Sequence, residues 1–238
     1  SGDSTLKVFG VYEHLYTNEF GYYPYAKWED GSEVKILGFT SLAPNYVVNT
    51  YGTDQPFYNV TYNCVNQTGA VTWGNKNLDS IRNQFSIVST GSSTLSIFTI
   101  KTKKFKQSNG RFYATTLYQI SDSLIKTGGF IEVLSSNMPS FVFNGQTAQQ
   151  EFTCNDSSFI GRIHYKIQNP FGIHFTGTGY FNSNPAYKIY PNSTVSIQTA
   201  AAIPFAGSIP LSFQGSSTKL MYDVLANVTA HATSFPSN

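Results

Sequence analysis

Residues 159–181 read FIGRIHYKIQNPFGIHFTGTGYF. The odd positions carry Phe159, Ile163, Tyr165, Ile167, Phe171, Ile173 and Phe175. The even positions carry Arg162, His164, Lys166, Gln168, His174 and Thr176. A period of two is the signature of a strand with one dry and one wet face. The alternation keeps its phase on both sides of Asn169, which predicts one amphipathic antiparallel hairpin turning there. Each arm is about nine to eleven residues long, the length a tilted membrane-crossing strand requires. The seven apolar side chains therefore face either the protein's own core or lipid, and Arg162, His164, Lys166 and His174 face water.

The rest of the chain reads the same way. Of the 238 residues, 16% are aromatic and only 12% charged, and the balance is rich in Ser, Thr, Asn and Gly. Such a composition favours strands over helices. Asp30-Gly31 and Asn109-Gly110 separate strand-like runs and have the form of tight hairpin turns. The best helix candidate is 75–85, NKNLDSIRNQF. These features predict an all-β, elongated, antiparallel and two-lobed protein. Gly128-Gly129 and Pro139 place the division near residue 135, between an N-terminal surface- or receptor-binding region (1–135) and a C-terminal β module (136–238).

Several function classes find no support in the residues. A net charge of +2 is too small for a nucleic-acid partner. No apolar run reaches the roughly 18–20 residues of a spanning helix. The opening SGDSTLKVFG has no signal-peptide pattern, so the sequence is expected to represent the mature form. Catalytic and nucleotide-binding motifs are missing, and no cofactor is implied. Glu13, Glu33, Glu132 and Glu151 are the acids from which a hydrolytic pair could be assembled, yet their spacing selects none. His14, His164, His174 and His231 are scattered and there is no CxxC, so no metal site is expected. The run Lys101, Lys103, Lys104, Lys106 lies on one strand. It fits an edge strand guarded against aggregation or, alternatively, contact with anionic head groups or glycans.

Compartment is readable from two signals. Five sequons stand at Asn59, Asn66, Asn155, Asn192 and Asn227, more than chance supplies. Cys64 and Cys154 are the only cysteines. A bridge between them would close a loop of about 90 residues and add on the order of 4 kcal/mol. Together these predict a secreted glycoprotein with one disulfide.

Residues 187–215, YKIYPNSTVSIQTAAAIPFAGSIPLSFQG, resemble the C-terminal stretch of the aerolysin and epsilon-toxin family of β-pore-forming proteins. The matching positions are Pro191, Asn192, Ser193, Thr194, Val195, Ile197, Ile203, Pro204, Phe205 and Gly215. FNGQTAQQEFTC (143–154) is similar to the strand that enters the family's pore module. The family carries its insertion hairpin between these two strands, where 159–181 lies. The hairpin here is shorter than the family's and more cationic. The resemblance implies a non-enzymatic protein that binds a membrane surface or a glycan or protein receptor, forms a homo-oligomer and inserts a β-barrel. The alternative from the residues alone is a secreted β-sandwich glycoprotein that binds a ligand, glycan or protein partner without insertion.

Overall fold

The structure is a computed structural model that describes residues 6–15, 26–40, 46–47, 57–73, 81–133, 139–154, 159–160, 164–169, 171, 173–176, 187–189, 194–197, 205–206, 211–213 and 219–222. All regular structure among them is strand. The all-β, elongated architecture is as the composition predicts. The strand direction is not. Every described pairing is parallel, and sequence neighbours stack as successive coils of a solenoid.

The pattern is clearest in the two long strands, Thr94–Gln107 and Arg111–Lys126. They pair in three stretches: 94–97 on 111–114, 99–102 on 117–120, and 104–107 on 123–126. Register shifts separate the stretches and bend the ribbon. In the next coil the same stretches are three separate strands, Phe130–Val133, Ser140–Phe143 and Gln150–Cys154. In the one after they are Phe159–Ile160, His164–Ile167 and Ile173–Thr176. Three parallel sheets result. Toward the N-terminus the first sheet continues through Val71–Trp73 and Tyr46–Val47. The third continues through Ile81–Ser89, Phe57–Asn63, Glu33–Ile36 and Val11–His14. Toward the C-terminus the second sheet adds Thr194–Ile197 and Lys219–Tyr222, and the third adds Phe205–Ala206. Leu6–Val8 pairs with Ala26–Trp28, and Tyr187–Ile189 with Leu211–Phe213, as separate two-stranded ribbons.

Alternation does fix which residues are buried. The inward column of the third sheet is Val34, Val60, Phe85, Phe105, Leu124 and Phe152, and all are buried. Leu95, Phe112 and Ile131 form the matching column of the first sheet; Ile100, Tyr118 and Phe141 form that of the second. The three columns meet through rings. Phe105 and Phe112 lie 5.5 Å apart, Phe112 and Tyr118 5.5 Å, and Tyr118 and Phe141 4.9 Å. Truncating one such ring to Ala costs about 3–5 kcal/mol in a packed core. One buried cluster runs from Trp28 to Ile173, and strand pairing crosses residue 135 without a break.

The turns explain the reversal of expectation. Asn109-Gly110 does not fold 94–107 back on 111–126; it carries the chain round a corner to start the next coil above the last. Gly91, Gly110 and Gly129 all have positive φ, and they stack. A Cβ on Gly91 would meet the Gln67 backbone oxygen at 2.2 Å, one on Gly110 the Thr90 nitrogen at 2.7 Å, and one on Gly129 the Gly110 oxygen at 2.4 Å. Asp30-Gly31 is likewise a corner, since Glu33–Ile36 pairs in parallel with Val11–His14. The helix candidate 75–85 is corrected at its described end: residues 81–85 belong to the strand Ile81–Ser89, where Ile81 and Phe85 are core. Residues 75–80 lie outside the described set.

Gly31 has the same left-handed backbone (φ 88°) but open space around its Cβ position. Gly31→Ala should therefore lose only the conformational part, about 1–2 kcal/mol. Gly129→Ala should lose that and the stacking contact, shifting the urea midpoint clearly further. Equal shifts for the two variants would mean that the stacked corner carries no weight.

Candidate functional site

The predicted hairpin 159–181 comes apart in the structure. His164–Ile167 lies in the second sheet between Ser140–Phe143 and Thr194–Ile197. Ile173–Thr176 lies in the third, between Gln150–Cys154 and Phe205–Ala206. The two arms do not pair with each other. Asn169 bends the chain between them: its buried amide donates to the Ala148 carbonyl at 2.8 Å and to Gln150 Oε1 at 3.2 Å, and its Oδ1 accepts from the Phe171 N–H. A bend tied to the previous coil by these contacts leads into the next sheet instead of reversing. Ile173 is fully buried, as an apolar-face residue should be. Phe171 is half exposed at the bend and leaves that face. His164 is in register with Ser140 and Thr194, and His174 with Glu151 and Ala206, so they do not lie opposite each other. Lys166 is partly exposed in the second sheet, between Val142 and Ser196 in register. Phe159 pairs with Ile131 at the edge of the first sheet, and Tyr165 and Phe175 are in register with Phe141 and Phe152. Arg162 and Ile163 lie outside the described residues.

The disulfide expectation is also corrected. Cys64 is a free, buried thiol whose Sγ donates to the Ile36 carbonyl at 3.4 Å. Cys154 is the register partner of Lys126, which pairs with Gln107, then Ile87, then Tyr62. Four strand spacings of about 4.7–4.9 Å put roughly 19 Å between Tyr62 and Cys154. Cys64, only two residues past Tyr62, is thus far outside the reach of about 7 Å between bridged Cα atoms. Burial pushes the Cys64 thiol up to about 11, and burial with the neighbouring Cys64 pushes the Tyr62 hydroxyl well above its usual range.

Two of the sequons fall on described residues. Asn66 is exposed in a turn. Asn59 is half-buried in the third sheet and accepts from Asn83 Nδ2 at 2.8 Å. Asn155, Asn192 and Asn227 lie outside the described residues. The four acids are held apart. Glu13 pairs with Lys35 at 3.6 Å, and Glu33 accepts from Thr61 Oγ1 at 2.6 Å. Glu132, on the first sheet, stands 3.8 Å from Arg111. Glu151 accepts from Thr153 Oγ1 at 2.9 Å. Tyr113, pushed up first by desolvation and then by Glu132, is the register partner of that acid.

The lysine run divides between a sheet edge and the interior of the stack. Lys104 and Lys106 are paired on both sides, by Ile81–Ser89 and by Arg111–Lys126, whereas Lys101 is paired only by Gln119, on the stretch 99–102 that opens the second sheet, and Lys103 is the unpaired corner residue. Lys101 and Lys103 are exposed beside a cleft of about 240 Å³ at the corner between the second and third sheets. Buried Ile81 and Thr102 line it together with Arg82 from one coil, Lys101 and Lys103 from the next, Gln119 and Ser121 from the third, and Asn144 from the fourth. Arg82 is anchored, 2.5 Å from Asp30 and bonded to the Trp28 carbonyl. Lys104, just outside, pairs with Asp122 at 3.5 Å. Among the described residues neither Lys101 nor Lys103 forms an ion pair. Asn144 Oδ1 is buried with no hydrogen-bond partner. The lysines were visible in the sequence; Arg82, Gln119, Ser121 and Asn144 were not, because only the coil stacking brings them together.

No family model, no curated protein and no solved structure matches the chain.

Cys154→Ser should leave the unfolding midpoint unchanged, where loss of a native bridge would remove on the order of 4 kcal/mol. In that variant Cys64 should resist alkylation until the protein is denatured. Because folding raises the thiol from 9.0 to about 11, its protonated form favours the folded state. Its contribution is complete below the ordinary thiol value and is lost as pH rises toward 11. A Cys64→Ala variant should therefore unfold with a shallower alkaline slope.

Proposed function

We propose that the protein is a secreted, non-enzymatic binding protein that presents the side of its solenoid to a glycan or protein partner without entering a bilayer. The observation that carries this reading is the assignment of the two halves of 159–181 to different sheets. Insertion as a hairpin would strip His164–Ile167 and Ile173–Thr176 from a strand on each side. It would also lift Ile173 out of the core. Each freed backbone group would need a new partner before it met hydrocarbon. The strands named in the family resemblance, Thr194–Ile197 and Phe205–Ala206, continue the same parallel stack.

A solenoid side suits an extended partner. Coils stacked by backbone hydrogen bonds repeat their outward side chains every 4.7–4.9 Å or so on a rigid support. Binding is favoured over catalysis because Glu13, Glu33, Glu132 and Glu151 each engage a different neighbour. Secretion rests on the sequons, with Asn66 placed on an exposed turn. It no longer draws on a disulfide.

Dye-filled liposomes of anionic and neutral lipid should stay intact with the protein across the titration range of histidine. No SDS-resistant oligomer should form on them, and a glycan and protein array should return a saturable partner. Leakage together with such oligomers would overturn this reading in favour of insertion. Ile173→Asp separates the two further: it should destabilise the soluble protein by several kcal/mol through an unpaired buried charge.

A further inference from the structure

We propose that the cleft between the second and third sheets is a binding site for an acidic polysaccharide, a chain bearing carboxylate or sulfate groups as well as free hydroxyls. The proposal rests on the binding-protein reading and names its ligand class and site.

Three observations carry it. The first is the placement of charge. Lys101 and Lys103 flank buried Thr102 and are exposed at the cleft, with no ion pair among the described residues. Lys101 stands on the first stretch of the second sheet, paired on one side by Gln119, and Lys103 makes the corner beside it, so both ammonium groups are presented at the open side of the stack. Arg82 adds a guanidinium already held by Asp30 and the Trp28 carbonyl, so little of its freedom is left to lose on binding. The second is the orphaned acceptor. Asn144 Oδ1 is buried without a partner at the cleft's far end. A buried acceptor left unpaired is unfavourable, and a rotation of the Asn144 side chain toward the cleft, where a ligand donor meets it, recovers that loss. The third is shape. The lining residues come from four successive coils, so the cleft follows the solenoid axis for three strand spacings, roughly 14 Å.

These features select among anions. A bare sulfate satisfies the lysines but offers Asn144 Oδ1 no donor. A neutral sugar offers donors but leaves the two ammonium groups without a counter-charge. An acidic sugar chain supplies both at once, with anionic groups at Lys101 and Lys103 and hydroxyls toward Asn144, Gln119 and Ser121. Its length matches a cleft that runs along the axis.

The test uses the full chain and calorimetric titration with size-defined heparin and oligogalacturonate fragments. Neutral dextran, inorganic sulfate and phosphatidylserine vesicles are the comparisons. At least one acidic oligosaccharide should bind, and more weakly as salt is raised. Replacing both lysines (Lys101→Gln with Lys103→Gln) should weaken it tenfold or more, and Asn144→Ala severalfold. Lys106→Gln removes the same charge from the same strand outside the cleft and should change affinity by less than twofold. Unchanged circular dichroism and melting would show that each variant folds. Equal losses in the Lys106 and cleft variants would overturn the site in favour of diffuse charge attraction. Sulfate as effective as the oligosaccharides, or vesicles bound in their place, would overturn the ligand class. If neither acidic oligosaccharide binds while the array returns another partner, this inference fails and the binding-protein reading stands. If the protein permeabilises liposomes, the underlying reading itself fails.

Discussion

The structure depends on polar side chains buried at the corners. Parallel strands satisfy each other's backbone groups along their length, but a corner breaks the ladder and leaves N–H and C=O groups turned inward, where leaving one unpaired costs about 1–3 kcal/mol. Gln67 Nε2 donates both to Gly69 in its own turn and to Thr94 in the next coil. Gln107 Nε2 repeats this with Gly110 and Phe130, and Lys126 Nζ reaches Gly129. At the other corner Gln150 joins the Gly145 N–H to the Ile120 carbonyl, and Asn169 ties Gln150 to Ala148. Each amide thus binds its own turn to a neighbouring coil. The stacking distance set there is the one at which the aromatic columns interlock, so corner and core are one constraint.

That constraint accounts for what could be read in the chain and what could not. Alternation identified strands and their buried faces, because the period of two is the same whichever way a neighbour runs. Direction is decided at the turns, and Asn-Gly or Asp-Gly favours left-handed backbone without saying whether the next strand returns or climbs. Asn169 was correctly placed at a bend, but the buried contacts that make it a corner come from residues some twenty positions earlier. The repeat was hidden as well. Thr94 and Arg111 are 17 residues apart, Arg111 and Phe130 19, and Ile131 and Phe159 28. No fixed period survives such variation. The cysteines misled for a related reason: spacing along the chain says nothing about how many coils lie between two residues.

The candidate site shows the same division. The lysines stood out in the sequence as a run, and their ordinary explanation was an exposed strand edge. That explanation fits Lys101, whose stretch 99–102 opens the second sheet, but not Lys104 and Lys106, which are paired on both sides. What the corner adds was not legible, because Arg82, Lys103, Ser121 and Asn144 meet only through coil stacking.

The cleft lies where the coils change size. Between the second and third sheets one residue, Lys103, makes the corner in one coil. Two residues, Ser121 and Asp122, make it in the next, and six, 144–149, in the coil after that. The core cannot absorb the extra residues, since the inward columns stay in register on both sides of each corner. They must leave the stack outward, and Asn144 stands where the widest excursion departs. Its backbone N–H is still held by Ile120, so it keeps its place in the stack while the chain beyond it swings away. An excursion rising beside shorter corners makes a wall, and the recess beneath it is a cleft. A corner can vary in this way without disturbing the sheets, and the lysines and the orphaned amide oxygen are both found at this one.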